Sequence, residues 1–237
     1  LTQQLNIGEF IAAEIIILTV ISAVEKLIGS LESVYDVITG LEKTASVTGL
    51  EKDRDGAIDL ETAQGLAVKI ADVSFTYPDG SQVLQGVNLD VPSNSKVSIS
   101  GTEGSGKSTL LKLLSGNYGY YGGSILINNI PIGNYSLESL RSKTGAYLNY
   151  QDIFEGTVWE NISLGRPGIT AGRITAIAEK TGLGNFLHTL PLGYETQTDA
   201  LGKRLPANVV KKIILLRALA NEPSLLLMEE PWLGLDE

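Results

Sequence analysis

Between Phe10 and Val24 the chain is apolar at almost every position, broken only by Glu14 and small hydroxyl residues. Past it the pattern loosens. Leu27, Leu31, Val34, Ile38 and Leu41 recur three or four residues apart, the spacing that lines apolar side chains along one face of a helix. No proline interrupts the stretch, so it predicts one long helix. Its apolar part, Phe10 to Ile28, approaches the roughly 20 residues that cross a bilayer. Glu14, Glu25 and Lys26 lie inside it or at its edge, and an ionised side chain at the bilayer centre costs about 2.5–3.5 kcal/mol. On pattern alone, a membrane span and a buried helix or coiled-coil arm stand equal. No basic residue precedes the apolar run and no small-residue cleavage site follows it, so no cleaved signal is expected.

Residues 48–65 are polar and turn-rich and read as a linker. The texture then changes. "LAVKIADVSFTY" and "VNLDVPSNSKVSIS" alternate and carry β-branched residues, which predicts strands, with a turn at "YPDG". Helical stretches are expected at 107–115, 136–143, 157–163, 171–181 and 208–220. "SLLLMEE", 224–230, is a short continuous apolar run, the pattern of a strand buried on both faces. The second part is therefore α/β.

Composition narrows the chemistry. With 43 % hydrophobic and 19 % charged residues the chain can bury a core rather than remain disordered. A net charge of −9 makes it a poor binder of nucleic acid, whose phosphates require a basic face. Without cysteine there is neither disulfide nor thiolate chemistry, and the single histidine, His188, cannot make a histidine metal site alone.

The chemistry-bearing stretch is "GTEGSGKST", 101–109, which fits G-x-x-x-x-G-K-[ST] between a predicted strand and a predicted helix. Gly101, Gly104 and Gly106 let the backbone wrap closely, so that amides through Ser105 and Thr109 surround a phosphate chain. The positive end of the following helix adds to the attraction. Lys107 is positioned to reach the outer phosphates of ATP, and the Ser108 hydroxyl to ligate Mg²⁺. A matching acid belongs at the end of a buried strand, and "SLLLMEE" supplies two. Glu229 is expected on the magnesium side and Glu230 as general base for an attacking water.

With these residues in view, 66–237 resembles the nucleotide-binding domain of ATP-binding cassette (ABC) transporters, with its helical subdomain. "VSFTYPDGSQVLQGVNLDV" is similar to the family's aromatic loop, which implies that Tyr77 stacks on adenine. "EGTVWENISLGRP" and "LPLGYETQTDALGKRL" are similar to connecting segments of the subdomain in exporters. "LLLMEEPWLGLDE" resembles the acidic strand and the loop after it, with Asp236 as that loop's aspartate. The resemblance implies that Gln151, in "NYQDIFEGT", senses magnesium and couples to membrane helices, although a shift of one would put Tyr150 there. It also identifies residues 1–47 as similar to the last transmembrane helix of an exporter and its cytoplasmic extension. The implied architecture is a membrane-anchored subunit with a cytoplasmic nucleotide domain that pairs with a second such domain, in a homo- or heterodimer. Further membrane helices are expected upstream of Leu1, and the histidine loop after Glu237.

Departures from the family pattern bear on activity. Where the signature Leu-Ser-Gly-Gly-Gln is expected, the chain reads Leu205-Pro206-Ala207-Asn208-Val209. In the family this loop seals the γ-phosphate held by the partner domain. Pro206 lacks both a hydroxyl and an N–H. Loss of one preorganised donor costs about 2.7–4 kcal/mol of barrier. Glu229 stands where the family has aspartate. The first expectation is thus an exporter subunit that couples Mg-ATP hydrolysis to transport, weak as a homodimer. The alternative is a hydrolysis-deficient structural or regulatory subunit of the same fold.

Overall fold

The structure is a computed structural model that describes residues 6–49, 53, 55–61 and 65–232. The chain divides into two units, 1–53 and 54–237. The first is a single helix, α1 (Ile7–Thr48). A capping box starts it: Asn6 Oδ1 accepts from Gly8 N at 3.3 Å, and Glu9 reaches back to the Asn6 amide at 3.3 Å. None of its residues is buried, and its most apolar window has a mean hydropathy of 2.1. Its hydroxyls turn inward on their own helix: Thr19 donates to Ile15 O at 2.7 Å and Ser30 to Lys26 O at 2.9 Å. Polar groups satisfied within one helix are what an apolar surround requires.

The second unit opens with an antiparallel pair, β1 (Val68–Thr76) and β2 (Gln82–Val91), joined by a turn in which Tyr77 N donates to Ser81 O at 2.9 Å. Asp72, at φ 53°, bulges out of β1, so the inward set passes from Val68 and Ile70 to Val73 and Phe75. After α2 (Lys107–Leu114) come β3 (Gly122–Ile127) and the short β4 (Ile130–Pro131), giving a sheet ordered β2-β1-β3-β4. Next are α3 (Leu137–Lys143) and β5 (Thr144–Tyr147). The helical part follows: β6 (Gly156–Thr157), α4 (Val158–Ser163), α5 (Ala171–Lys180), α6 (Gly184–Thr189), β7 (Gln197–Thr198) and α7 (Ala207–Leu219). Last is β8 (Leu225–Met228), parallel to β5.

Two cores result. One lies between the four-stranded sheet and the helices α2 and α3, and includes Phe75, Leu113, Ile125 and Leu140. The other fills the helical part around Ile162, Ile174, Ile213 and Leu216. The β5–β8 ladder is their seam, since Tyr147 of β5 packs into the second core and Leu227 of β8 into the first.

Two expectations need correction, and one helix went unforeseen. Residues 96–100 form no ladder among the described residues, and Val97 and Ile99 are 51 % and 39 % exposed. Alternation gives a chain strand character, but a strand forms only where a neighbour takes its amides and carbonyls. The 224–230 run is not buried on both faces, because β8 pairs with β5 alone and leaves Leu226 and Met228 exposed. Helix α6 was not expected, because its six residues are too few to show a helical period.

Candidate functional site

The 101–106 turn climbs onto the N-terminus of α2. Gly104 (φ 76°) and Gly106 (φ 86°) both adopt left-handed backbone. At Gly106 there is a second demand, since an added Cβ would lie 2.6 Å from Leu84 Cδ2. The turn thus presses against β2 where no side chain fits. Among the described residues, the amides of Gly104, Gly106, Lys107 and Ser108 find no acceptor inside the protein. They form a set of donors at the positive end of a helix. Lys107 folds back over the turn, its Nζ donating to Gly101 O at 2.9 Å, Thr102 O at 2.7 Å and Ser105 Oγ at 3.3 Å. The ammonium is therefore already placed over the cradle, held by loop oxygens that an anion can replace.

The acids come to this turn from the far end of the sequence. Ser108 Oγ donates to Glu229 Oε1, and Asn149 N donates to Glu229 Oε2 at 3.0 Å. The parallel β5–β8 ladder fixes this, because Glu229 N continues it to Tyr147 O at 2.8 Å. Glu230 follows at φ 44°, exposed, and accepts from Asn149 Nδ2 at 3.3 Å. Ser108 and Glu229 supply oxygen donors side by side, the type a magnesium ion takes. No group of three or more His, Cys, Asp or Glu side chains among the described residues could hold a metal. Any cation here would therefore need oxygens from a ligand or from water. Asn149 escaped the sequence reading: it touches both acids across about eighty residues of chain, and nothing local to it signals that.

Tyr77 lies at the end of β1 in an aromatic cluster, edge-on to Phe75 at 4.9 Å and to Tyr118 at 5.9 Å. Its hydroxyl pairs with Thr109 Oγ1 at 2.9 Å, which ties the aromatic turn to α2. Gln151 keeps its carboxamide in its own turn, Oε1 accepting from Leu148 N at 3.0 Å. Tyr150 points to α2 instead, where Asn117 Nδ2 donates to its hydroxyl and Lys112 Nζ sits 4.5 Å from the ring centroid. Burial pushes the Tyr150 phenol up; the Asn117 hydrogen bond opposes this and the Glu229 charge adds to it.

Leu205-Pro206-Ala207-Asn208-Val209 is the start of α7, with Pro206 at its N-cap and no side-chain cap bond. A cavity of about 320 Å³ reaches from Leu205 and Ala207 to Gln151 and Asp152. His188 lies on α6, which carries none of the residues above. Asp236 lies outside the described residues.

The ABC transporter family model matches residues 84–233. An ABC transporter ATP-binding protein of Bacillus subtilis is 33 % identical over 185 residues, 78 % of this chain and 30 % of that protein. A mitochondrial iron-sulfur clusters transporter of Gibberella zeae is 32 % identical over 78 % of this chain and 26 % of its own length. A fatty acid ABC transporter ATP-binding/permease protein of Mycobacterium bovis is 31 % identical over 215 residues, 91 % of this chain and 32 % of that one. That last match necessarily runs through the second half of α1. The solved structure of a bacterial Atm1-family ABC exporter with ATP bound superposes with a TM-score of 0.74 at 26 % identity, covering 84 % of this chain and 35 % of the exporter chain. The chain thus spans about a third or less of the length of these relatives.

Proposed function

Because the chain belongs to the ABC transporter family, we propose that it is the ATP-binding part of an exporter, coupling Mg-ATP binding and hydrolysis to transport across a membrane. The observation that carries this reading is the junction of the free-amide turn, Lys107, Ser108 and Glu229. In this reading residues 1–47 are a transmembrane helix with its cytoplasmic extension, 48–65 a linker, and 66–237 the cytoplasmic nucleotide domain.

The free amides of Gly104, Gly106, Lys107 and Ser108 bind the phosphate chain, and Lys107 exchanges its bonds to Gly101 and Thr102 for phosphate oxygens. Ser108 and Glu229, whose oxygens lie side by side, would hold Mg²⁺. The ion supplies charge neutralisation at the phosphate oxygens. Gln151, whose Oε1 accepts from Leu148 N, would supply a further oxygen. Glu230, oriented by Asn149 Nδ2, accepts the proton of the attacking water. Tyr77 offers an aromatic face to the adenine. A second nucleotide domain, of the same or another chain, closes the site, and transmembrane helices transmit the closure.

Pro206 favours a second reading, a subunit that binds nucleotide and hydrolyses it poorly. As N-cap of α7 it brings neither hydroxyl nor N–H to the place where the family's signature seals the partner's phosphate. Phosphate release from the purified chain, set against Glu230→Gln, separates the two. The first reading expects the variant to lose about 10²-fold or more in rate. Equal rates in both proteins would remove Glu230 from the chemistry and leave the second reading.

A further inference from the structure

Residues 55–61 fall in the second half of the proposed linker, yet they lie docked along residues 134–139 and belong to the second unit. The contact is built mainly from backbone. Gly56 N donates to Tyr135 O at 3.2 Å, Ile58 N to Asn134 O at 3.0 Å, and Ser136 N returns a bond to Ile58 O at 2.8 Å. Ile58 and Tyr135 thereby form a parallel bridge. Two side chains extend it into the first turn of α3. The Asp55 carboxylate accepts from Leu137 N at 2.8 Å, and Ser139 Oγ accepts from Leu60 N at 2.7 Å. Gly56 runs so close that an added Cβ would lie 2.2 Å from Asn134 O. Leu60, 3 % exposed, anchors the far end in the core that also holds Leu140 of α3 and Leu227 of β8.

Little else holds this strap. Within 55–61 only Leu60 is buried; Gly56 is half-buried and the others are exposed. A segment with one buried side chain and a few exposed backbone bonds opens locally without unfolding its neighbours, which gives it a docked and a released state. Docked, it satisfies Leu137 N, one of the amides at the start of α3 that lacks a partner inside the helix. Helix α3 runs directly into β5. At the end of β5, Tyr147 O accepts from Glu229 N, and two residues on Asn149 N donates to Glu229 Oε2.

We propose that 55–61 is a coupling strap. Its docked state holds α3 and β5 where Glu229 meets the phosphate turn, so nucleotide binding and strap docking favour each other. The inference rests on the exporter reading above, in which α1 belongs to the membrane part. Only residues 49–54 separate the strap from α1, so a pull on that helix first meets the nucleotide unit at the strap. Such coupling is reciprocal: the factor that docking adds to nucleotide affinity is the factor that nucleotide adds to docking.

The test uses the whole chain in detergent with Mg²⁺ and a non-hydrolysable ATP analogue. Hydrogen exchange at the amides of Gly56, Ile58, Ser136 and Leu137 is expected to slow about fivefold or more on binding, with Gly182, in the turn between α5 and α6, unchanged. Gly56→Val, whose side chain has no room in the docked state, is expected to bind the analogue more weakly by that same factor. Asp55→Ala removes only the bond to Leu137 N; it gives a smaller loss in the same direction and supplies the reading where Gly56→Val does not fold. Failure of the wild type to bind the analogue would refute the proposed function and the coupling with it. Binding by the wild type with unchanged exchange at the strap amides, or with equal affinity in both variants, would overturn the coupling alone.

Discussion

At Gly106 the backbone is left-handed and its Cβ position is already filled by Leu84, so one residue carries both the turn and its packing on β2. Gly106→Ala is expected to destabilise the folded chain by about 1–3 kcal/mol, before any ligand is considered. A urea midpoint unchanged from wild type would contradict that. Lys107 and Ser108 follow directly, and their partners differ in kind. Lys107 binds loop oxygens five and six residues away, a local device that motif spacing reveals. Ser108 meets Glu229 from the other end of the domain. Glutamate in that place reaches both the Ser108 hydroxyl and the Asn149 amide.

Elements bring those residues together, and a buried polar knot sets their frame. Asn161 of α4 is fully buried. Its Nδ2 donates to Phe154 O, Thr157 O and Thr198 Oγ1, and its Oδ1 accepts from Phe154 N and Arg217 Nη2. Arg217 carries the link to Asp152 O, beside Gln151. Asn161→Leu would strand Phe154 N and part of Arg217, with an expected loss of about 3 kcal/mol or more in a denaturant titration. A loss below about 1 kcal/mol would show the knot to be dispensable. Nothing in the sequence marks Asn161, because a buried asparagine looks like a surface one until its partners are known. The phosphate turn and the acidic strand end were legible, since spacing and residue type carry their chemistry locally. The pairing of 96–100 was not, because alternation predicts strand character without naming a neighbour, and here the described chain offers none. The exposure of β8 and the short α6 went unseen for related reasons: edge position and a six-residue helix leave no periodic trace.

In the whole molecule, a site-bearing α/β unit is preceded by a 42-residue helix with no buried residue, which is about 63 Å long. An eighteen-residue window of it is apolar enough for a span by length and composition, and the proposed reading places that window in a bilayer. The chain is expected to stay in the membrane pellet through an alkaline carbonate wash. Its release into the supernatant would remove the membrane from the account and favour a soluble ATPase. The proposed function presupposes that the 101–109 turn grips a triphosphate, which makes nucleotide binding the most direct test of all. Titration of a fluorescent ATP analogue with Mg²⁺ into the wild-type chain should show saturable binding, with Lys107→Ala at least about tenfold weaker. Equal affinity in the two proteins, or no binding to the wild type, would contradict the account.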